Sequence, residues 1–348
     1  MVQRAPALRP GVQLPPRSPL LLLLLLGCDP AHQHPPPDTD EGPDTDVPTD
    51  DTDTDTEVPE PEGDPATVEL AGSCPLEARF GGFLVALFDG YSIVDGSVAD
   101  GIVPVSVLEQ VAASGDCRLM KRNNPHCDPP CGHGETCDFD GSCIPFPANQ
   151  DLGTVTIGGL GKPVIMQPVG DGRNYFDTKL PHPVFEPGAL VELRTGGGAF
   201  EPAVLHGVGV EPLVLVDTEW VLKDDEPLTF RWEPPSHEPA RGHVHLRLNI
   251  DQHGVTPIQL FCELPDTGEA TVAEELLAML IQAGVTGFPN ATVTRRTVDA
   301  AEVGEGCMDL TLASPVSPSV RVDGFTPCTK DADCPQGTTC NEALQICE

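Results

Sequence analysis

Basic residues are few in this chain. Only 19 Lys and Arg stand against 54 Asp and Glu over 348 residues, a formal net charge of -35. A nucleic-acid binder needs a basic surface to displace counterions, so that class is excluded and no nucleic-acid partner is expected. Aromatics are also scarce, at 12 Phe, 2 Tyr and 2 Trp. No repeated apolar runs of about 20 residues occur, which excludes a multi-span membrane protein. Catalytic signatures are missing as well. There is no Gly-x-Ser-x-Gly elbow to anchor a hydrolase triad. The string His237-Glu238-Pro239 to His243 has a Pro and the wrong spacing for a two-histidine metal helix. Gly158 to Gly161, followed by Lys162-Pro163, lacks the spacing of a phosphate loop. No catalytic residue and no cofactor are expected, and a non-enzyme is favoured.

What the chain does have begins at its N-terminus. Arg4, Arg9 and Arg17 precede seven leucines, Leu20 to Leu26, and then Gly27-Cys28. A basic stretch before a short apolar run reads as a signal peptide over 1–27, because seven residues cannot cross a bilayer about 30 Å thick. Leu25-Leu26-Gly27-Cys28 resembles a bacterial lipobox, which implies acylation of Cys28 and cleavage before it. Parity agrees: of 13 Cys, removing Cys28 leaves an even number for pairing. Two or three acyl chains on one Cys hold a protein on a membrane far better than one, so the membrane is an expected partner through Cys28.

Residues 28–66 then form a stalk. From 29 on it has no Lys or Arg and is built of Asp, Thr, Pro and Glu. With little apolar surface to bury, it cannot offset the entropy of folding, so disorder is expected. Fully extended, it would reach on the order of 120 Å at about 3.1 Å per residue. Asp51, Asp53, Asp55 and Glu62 match positions of a calcium-binding EF-hand loop, but Thr56 replaces the turn Gly and Pro59 and Pro61 interrupt it. No specific calcium site is expected there.

The cysteines divide the remainder. Residues 67–122 read as a small β segment bracketed by Cys74 and Cys117, which are expected to pair. Residues 123–147 hold Cys127, Cys131, Cys137 and Cys143; residues 323–348 hold Cys328, Cys334, Cys340 and Cys347. Cys131-Gly-His-Gly-Glu-Thr-Cys137 aligns with Cys334-Pro-Gln-Gly-Thr-Thr-Cys340, the mark of a duplicated module. Twenty residues cannot build an apolar core and need staples, so two bridges are expected in each module. Which of the three possible pairings forms is left open. Zinc is disfavoured because neither cluster has a C-x2-C knuckle.

Residues 150–322 carry many short strand patterns separated by Gly, Pro, Asp and Asn, as in a β-sandwich. The clearest is His243 to Ile250, with Val244, Leu246, Leu248 and Ile250 facing inward. Leu213–Val216 is another expected strand. One helix is expected, capped by Thr271 and Glu274 and ended by Gly284. Cys262 and Cys307 are the two Cys of this region and are expected to pair, each such loop of about 45 residues being worth ~4 kcal/mol in chain entropy. The fold class is therefore mainly β: a β-sandwich domain with one helix, a small N-terminal β segment and two disulfide-rich modules.

Weaker candidate sites are also present. His243 and His245 lie on one strand face and could share a metal with His253 or His237; a solvated outer face is the preferred reading. Trp220 and Trp232 could form a sugar platform beside an acidic pair such as Asp224-Asp225, with core packing preferred for the Trp pair. Asn290-Ala-Thr292 matches a glycosylation acceptor by chance.

Lipobox, Asp/Thr stalk, β-rich segment and small C-x5-C-x5-C modules together resemble uncharacterised surface lipoproteins of large-genome Gram-negative bacteria. Thr329-Lys-Asp-Ala-Asp-Cys-Pro-Gln-Gly337 also resembles EGF- or Dickkopf-like repeats. The resemblance implies an exported, lipid-anchored protein of the cell envelope. The outer membrane or cell surface is expected ahead of the inner membrane, although Asp29 is the residue that retains enteric lipoproteins at the latter. A non-enzymatic binding or adhesion role toward a protein or glycan is expected. A carbohydrate-binding or glycan-hydrolysing sandwich and a metal-binding envelope protein are the alternatives.

Overall fold

The structure is a computed structural model that describes residues 58–236, 241–250 and 258–348. The expected leader, Cys28 and Asp51, Asp53 and Asp55 lie outside the described residues. The described chain is mainly β, with a single α-helix at Glu274–Gln282. Among the described residues no helix is long and apolar enough to cross a membrane.

A nine-stranded sheet organises the molecule. From one edge to the other its strands are Leu108–Ser114, Cys117–Arg122, Ile258–Pro265, His243–Asn249, Asn290–Val303, Gly306–Val316, Arg79–Phe88, Tyr91–Val98 and Tyr175–Asp177. Neighbours run antiparallel except Arg79–Phe88, which lies parallel to Gly306–Val316. The alternation that marks a half-buried strand is kept along His243–Asn249, where Val244, Leu246 and Leu248 are fully buried.

One face of this sheet is covered in two halves. Over one half lies a four-stranded sheet, ordered Val204–Val208, Leu190–Thr195, Val155–Gly158, Val164–Met166. Val85, Leu310 and Leu312 of the long sheet meet Ile157, Leu193 and Leu205 of the short one in a shared core. Gly96 makes room within it. A Cβ there would sit 2.3 Å from the ring of Phe83, which packs against Tyr175 with ring centroids 5.7 Å apart. Over the other half lie two small ribbons and the helix. Trp220, Leu222, Phe230, Trp232, Leu276 and Leu280 there pack on Leu246, Leu260 and Val293.

Buried polar groups fix the layers. Arg295 and Asp266 form a doubly hydrogen-bonded ion pair, at 2.6 and 3.1 Å, with side chains 3% and 2% exposed. The same guanidinium donates to the carbonyls of Pro212 and Glu233, so its donors are spent inside the protein. Asp299 accepts from the backbone N–H of Ala71 and of His206, joining the N-terminal segment to both sheets.

Several expectations are corrected. Residues 67–122 are not a separate segment: their four strands belong to the nine-stranded sheet, and residues 56–348 form one compact unit. The expected Cys74–Cys117 and Cys262–Cys307 bridges exchange partners. Cys74 bonds Cys307 and Cys117 bonds Cys262. The reason is register: Cys117–Arg122 pairs with Ile258–Pro265, which sets Cys117 directly opposite Cys262. Leu213–Val216 holds only an isolated bridge, Leu215 to Trp232. The helix begins after Ala273 with no side-chain cap; Thr271 belongs to the strand Glu269–Val272, where its hydroxyl bonds Thr229 instead. Gly284 follows the last helical turn at φ +118°, a left-handed position suited to Gly.

Candidate binding surfaces

The face of the nine-stranded sheet opposite these layers is exposed over the strands from Cys117–Arg122 to Asn290–Val303, and there it carries an unusual chemistry. Register alone assembles it. Arg118 lies opposite Phe261, Phe261 opposite Arg247, and Arg247 opposite Thr292, in a row across four strands. The adjacent row runs Glu263, His245, Thr294 and Pro315. Arg118 and Arg247 are exposed, while Phe261, His245 and Thr292 are half-buried. Neither hydrophobic core includes residues of these rows.

The polar contacts on this face are uneven. Arg296 is paired with Glu263, and Arg79 with Asp309 at 3.0 Å. Arg247 donates to the Gln259 side-chain oxygen at 3.0 Å, a neutral partner. Arg118, Arg122 and Arg247 have no carboxylate partner among the described residues. The His245 ring lies tilted against Phe261, with ring centroids 5.9 Å apart. Burial, and then the guanidiniums of Arg296, Arg247 and Arg79, hold its pKa down to about 3.

That field bears on the weak metal candidates. His245 is neutral at physiological pH; Arg296, Arg247 and Arg79 oppose a cation there, although the Glu263 carboxylate lies 4.0 Å from Nε2. His243 is exposed two residues away, and the proposed third ligands His237 and His253 lie outside the described residues. The groups of His, Cys, Asp and Glu close enough to hold an ion are, among the described residues, Cys127/Cys131/Cys137 and Cys328/Cys334/Cys340. All six of those sulfurs are in disulfides and offer no thiolate.

The two Cys-rich modules share one connectivity, first to third and second to fourth: Cys127–Cys137 with Cys131–Cys143, and Cys328–Cys340 with Cys334–Cys347. Each closes a small hairpin. The first module presents Phe139 and Phe146, 51% and 52% exposed. Phe146, His126, Pro130 and Glu135 line an open groove of about 380 Å³ beside it.

The sugar-platform alternative loses its residues. Trp220 and Trp232 are each only 2% exposed, and their indole N–H groups are engaged by the carbonyl of Asp217 and the carboxylate of Asp266. Asp224 and Asp225 sit in the exposed turn between Glu219–Leu222 and Leu228–Arg231. Asn290 opens its long strand opposite Asn249. Sequence reasoning missed the arginine row, because its members are remote in the chain; the outward positions of His243 to Ile250 were the single local hint.

No protein-family model and no curated protein matches the chain. Among solved structures it is similar to one described as "Crystal structure of tetra-tandem repeat in extending region of large adhesion protein", at 11% identity and a TM-score of 0.16. The alignment covers 69% of this chain and 49% of that one, so the chain spans about half the length of the protein it matches. At that score the likeness carries no argument about function.

Proposed function

We propose that this is an exported, lipid-anchored protein of the cell envelope whose disulfide-stapled β ectodomain binds another macromolecule without catalysis. One observation carries the reading. Twelve of the 13 cysteines are paired in six bridges, and Cys28 is the one outside the described residues. Disulfides of this density belong to oxidising compartments. The odd cysteine is the one that follows the leucine run, where acylation would anchor the chain. The acidic segment after it supplies reach, and the sheet supplies a broad rigid surface.

Two measurements test this. Intact mass on membrane-extracted protein should give a chain starting at Cys28 with acyl chains and no thiol that alkylates before reduction. A chain with a free Cys28 thiol that partitions into the aqueous phase would overturn the anchor. Cross-linking the purified ectodomain to envelope extract should enrich a specific partner, and no enrichment would overturn the binding role.

A further inference from the structure

We propose that the open face of the nine-stranded sheet, centred on Arg118, Phe261 and Arg247, docks an extended polysaccharide that carries carboxylates. This deepens the surface-binding reading by naming a site and a partner chemistry.

Charge complementarity is the first argument. Among the described residues, Arg118, Arg122, Arg173, Arg241, Arg247 and Arg321 have no carboxylate within ion-pair distance, whereas Arg79, Arg194, Arg231, Arg295 and Arg296 do. Three of these six, Arg118, Arg122 and Arg247, are gathered on this one face, while the other three lie outside the sheet. Guanidinium is planar and donates in a fork that matches a carboxylate with two parallel hydrogen bonds. The net charge of -35 would repel a polyanion at a distance. At physiological ionic strength, however, the screening length is about 8 Å, so groups in contact decide the outcome.

Geometry is the second argument. Arg118 and Arg247 sit two strands apart, about 10 Å, with Phe261 between them. An aromatic flanked by two cations gives a sugar ring an apolar surface to lie on and places a guanidinium at either side. Thr292 ends the row and Gln259 lies beside it; the Thr292 hydroxyl and the Gln259 amide N–H can exchange hydrogen bonds with ring hydroxyls. A row of side chains that runs across four strands suits an extended polymer better than a compact ligand.

The test is affinity electrophoresis and biolayer interferometry of the intact ectodomain against polygalacturonate, with dextran and poly-aspartate as comparison polymers. Polygalacturonate should bind, weaken in high salt, and bind about tenfold less tightly for each of Arg118→Gln and Arg247→Gln. Arg321→Gln removes the same charge from a ribbon strand outside the sheet and should leave affinity unchanged. Phe261→Leu, which keeps an apolar side chain and removes the ring, should weaken binding and leave far-ultraviolet dichroism and cooperative melting intact. Equal weakening by Arg321→Gln would overturn the site, and equal binding of poly-aspartate would overturn the polysaccharide. No binding of polygalacturonate at all would overturn the inference, while an envelope partner captured by cross-linking would still support the broader reading.

Discussion

Cys117 faces Cys262 across neighbouring antiparallel strands and is bonded to it, joining positions 145 residues apart. The chain-entropy argument gives closure of so long a loop about 5 kcal/mol, more than the shorter loops expected from sequence order. The paired Cys117→Ala and Cys262→Ala variant should therefore lose about 2–5 kcal/mol in guanidinium unfolding. Peptide mapping without reduction should recover Cys117 with Cys262 and Cys74 with Cys307. Recovery of Cys74 with Cys117 would mean that this strand pairing is wrong.

The buried Arg295–Asp266 pair makes a second prediction. Removing one partner leaves the other charge uncompensated inside the protein. Asp266→Asn and Arg295→Met should each cost about 3–5 kcal/mol, whereas the double variant Arg295→Met, Asp266→Leu should recover part of the loss. Trp232 complicates one arm, because its indole N–H also donates to Asp266 at 2.7 Å. The Asp266 variants should accordingly blue-shift or broaden Trp232 emission, and Arg295→Met should not. Urea titration with fluorescence reads both effects.

The tryptophans give a third. Both lie in the core under the ribbons, with Trp220 and Trp232 on either side of Phe230 at centroid distances of 4.8 and 5.6 Å. Trp220→Ala or Trp232→Ala should cost about 3–5 kcal/mol of stability. Any glycan affinity measured on the folded variants should stay unchanged. Lost affinity in a variant that still melts cooperatively would return the Trp pair to the binding site.

What was legible in the sequence follows from which signals are local. The His243 to Ile250 alternation is a property of adjacent residues, and the strand was readable with its inward face. The apolar stripe of Leu276 and Leu280 identified the helix for the same reason. Its start was misread because Thr271 and Glu274 imitate a capping box, while the strand partner that claims Thr271, Thr229, is 42 residues away. Cysteine pairing and the arginine row depend on register between distant strands. Nothing near Arg118 announces Phe261, and nothing near Cys74 announces Cys307.

His245 supplies the last prediction, and its direction follows from linkage. The folded protein holds its pKa at about 3, below the ordinary value of 6.5, mainly through burial and then through Arg296 and Arg247. Between these values the unfolded chain takes up a proton that the native protein refuses. The stability contributed is complete above pH 6.5 and is lost as pH falls toward 3. From pH 7 to pH 5 the expected loss is about 2 kcal/mol from this one group. Carboxylates add their own dependence, so the informative quantity is a difference. His245→Gln should be less sensitive than the parent protein to acidification over that interval in urea titrations. Arg247→Gln removes one of the opposing charges while leaving the imidazole buried, and should raise the His245 pKa when followed by its ring-proton shifts. Parallel pH curves for the parent and His245→Gln would show that the imidazole is solvated in the folded protein, and would remove the electrostatic case for a concentrated positive field on this face.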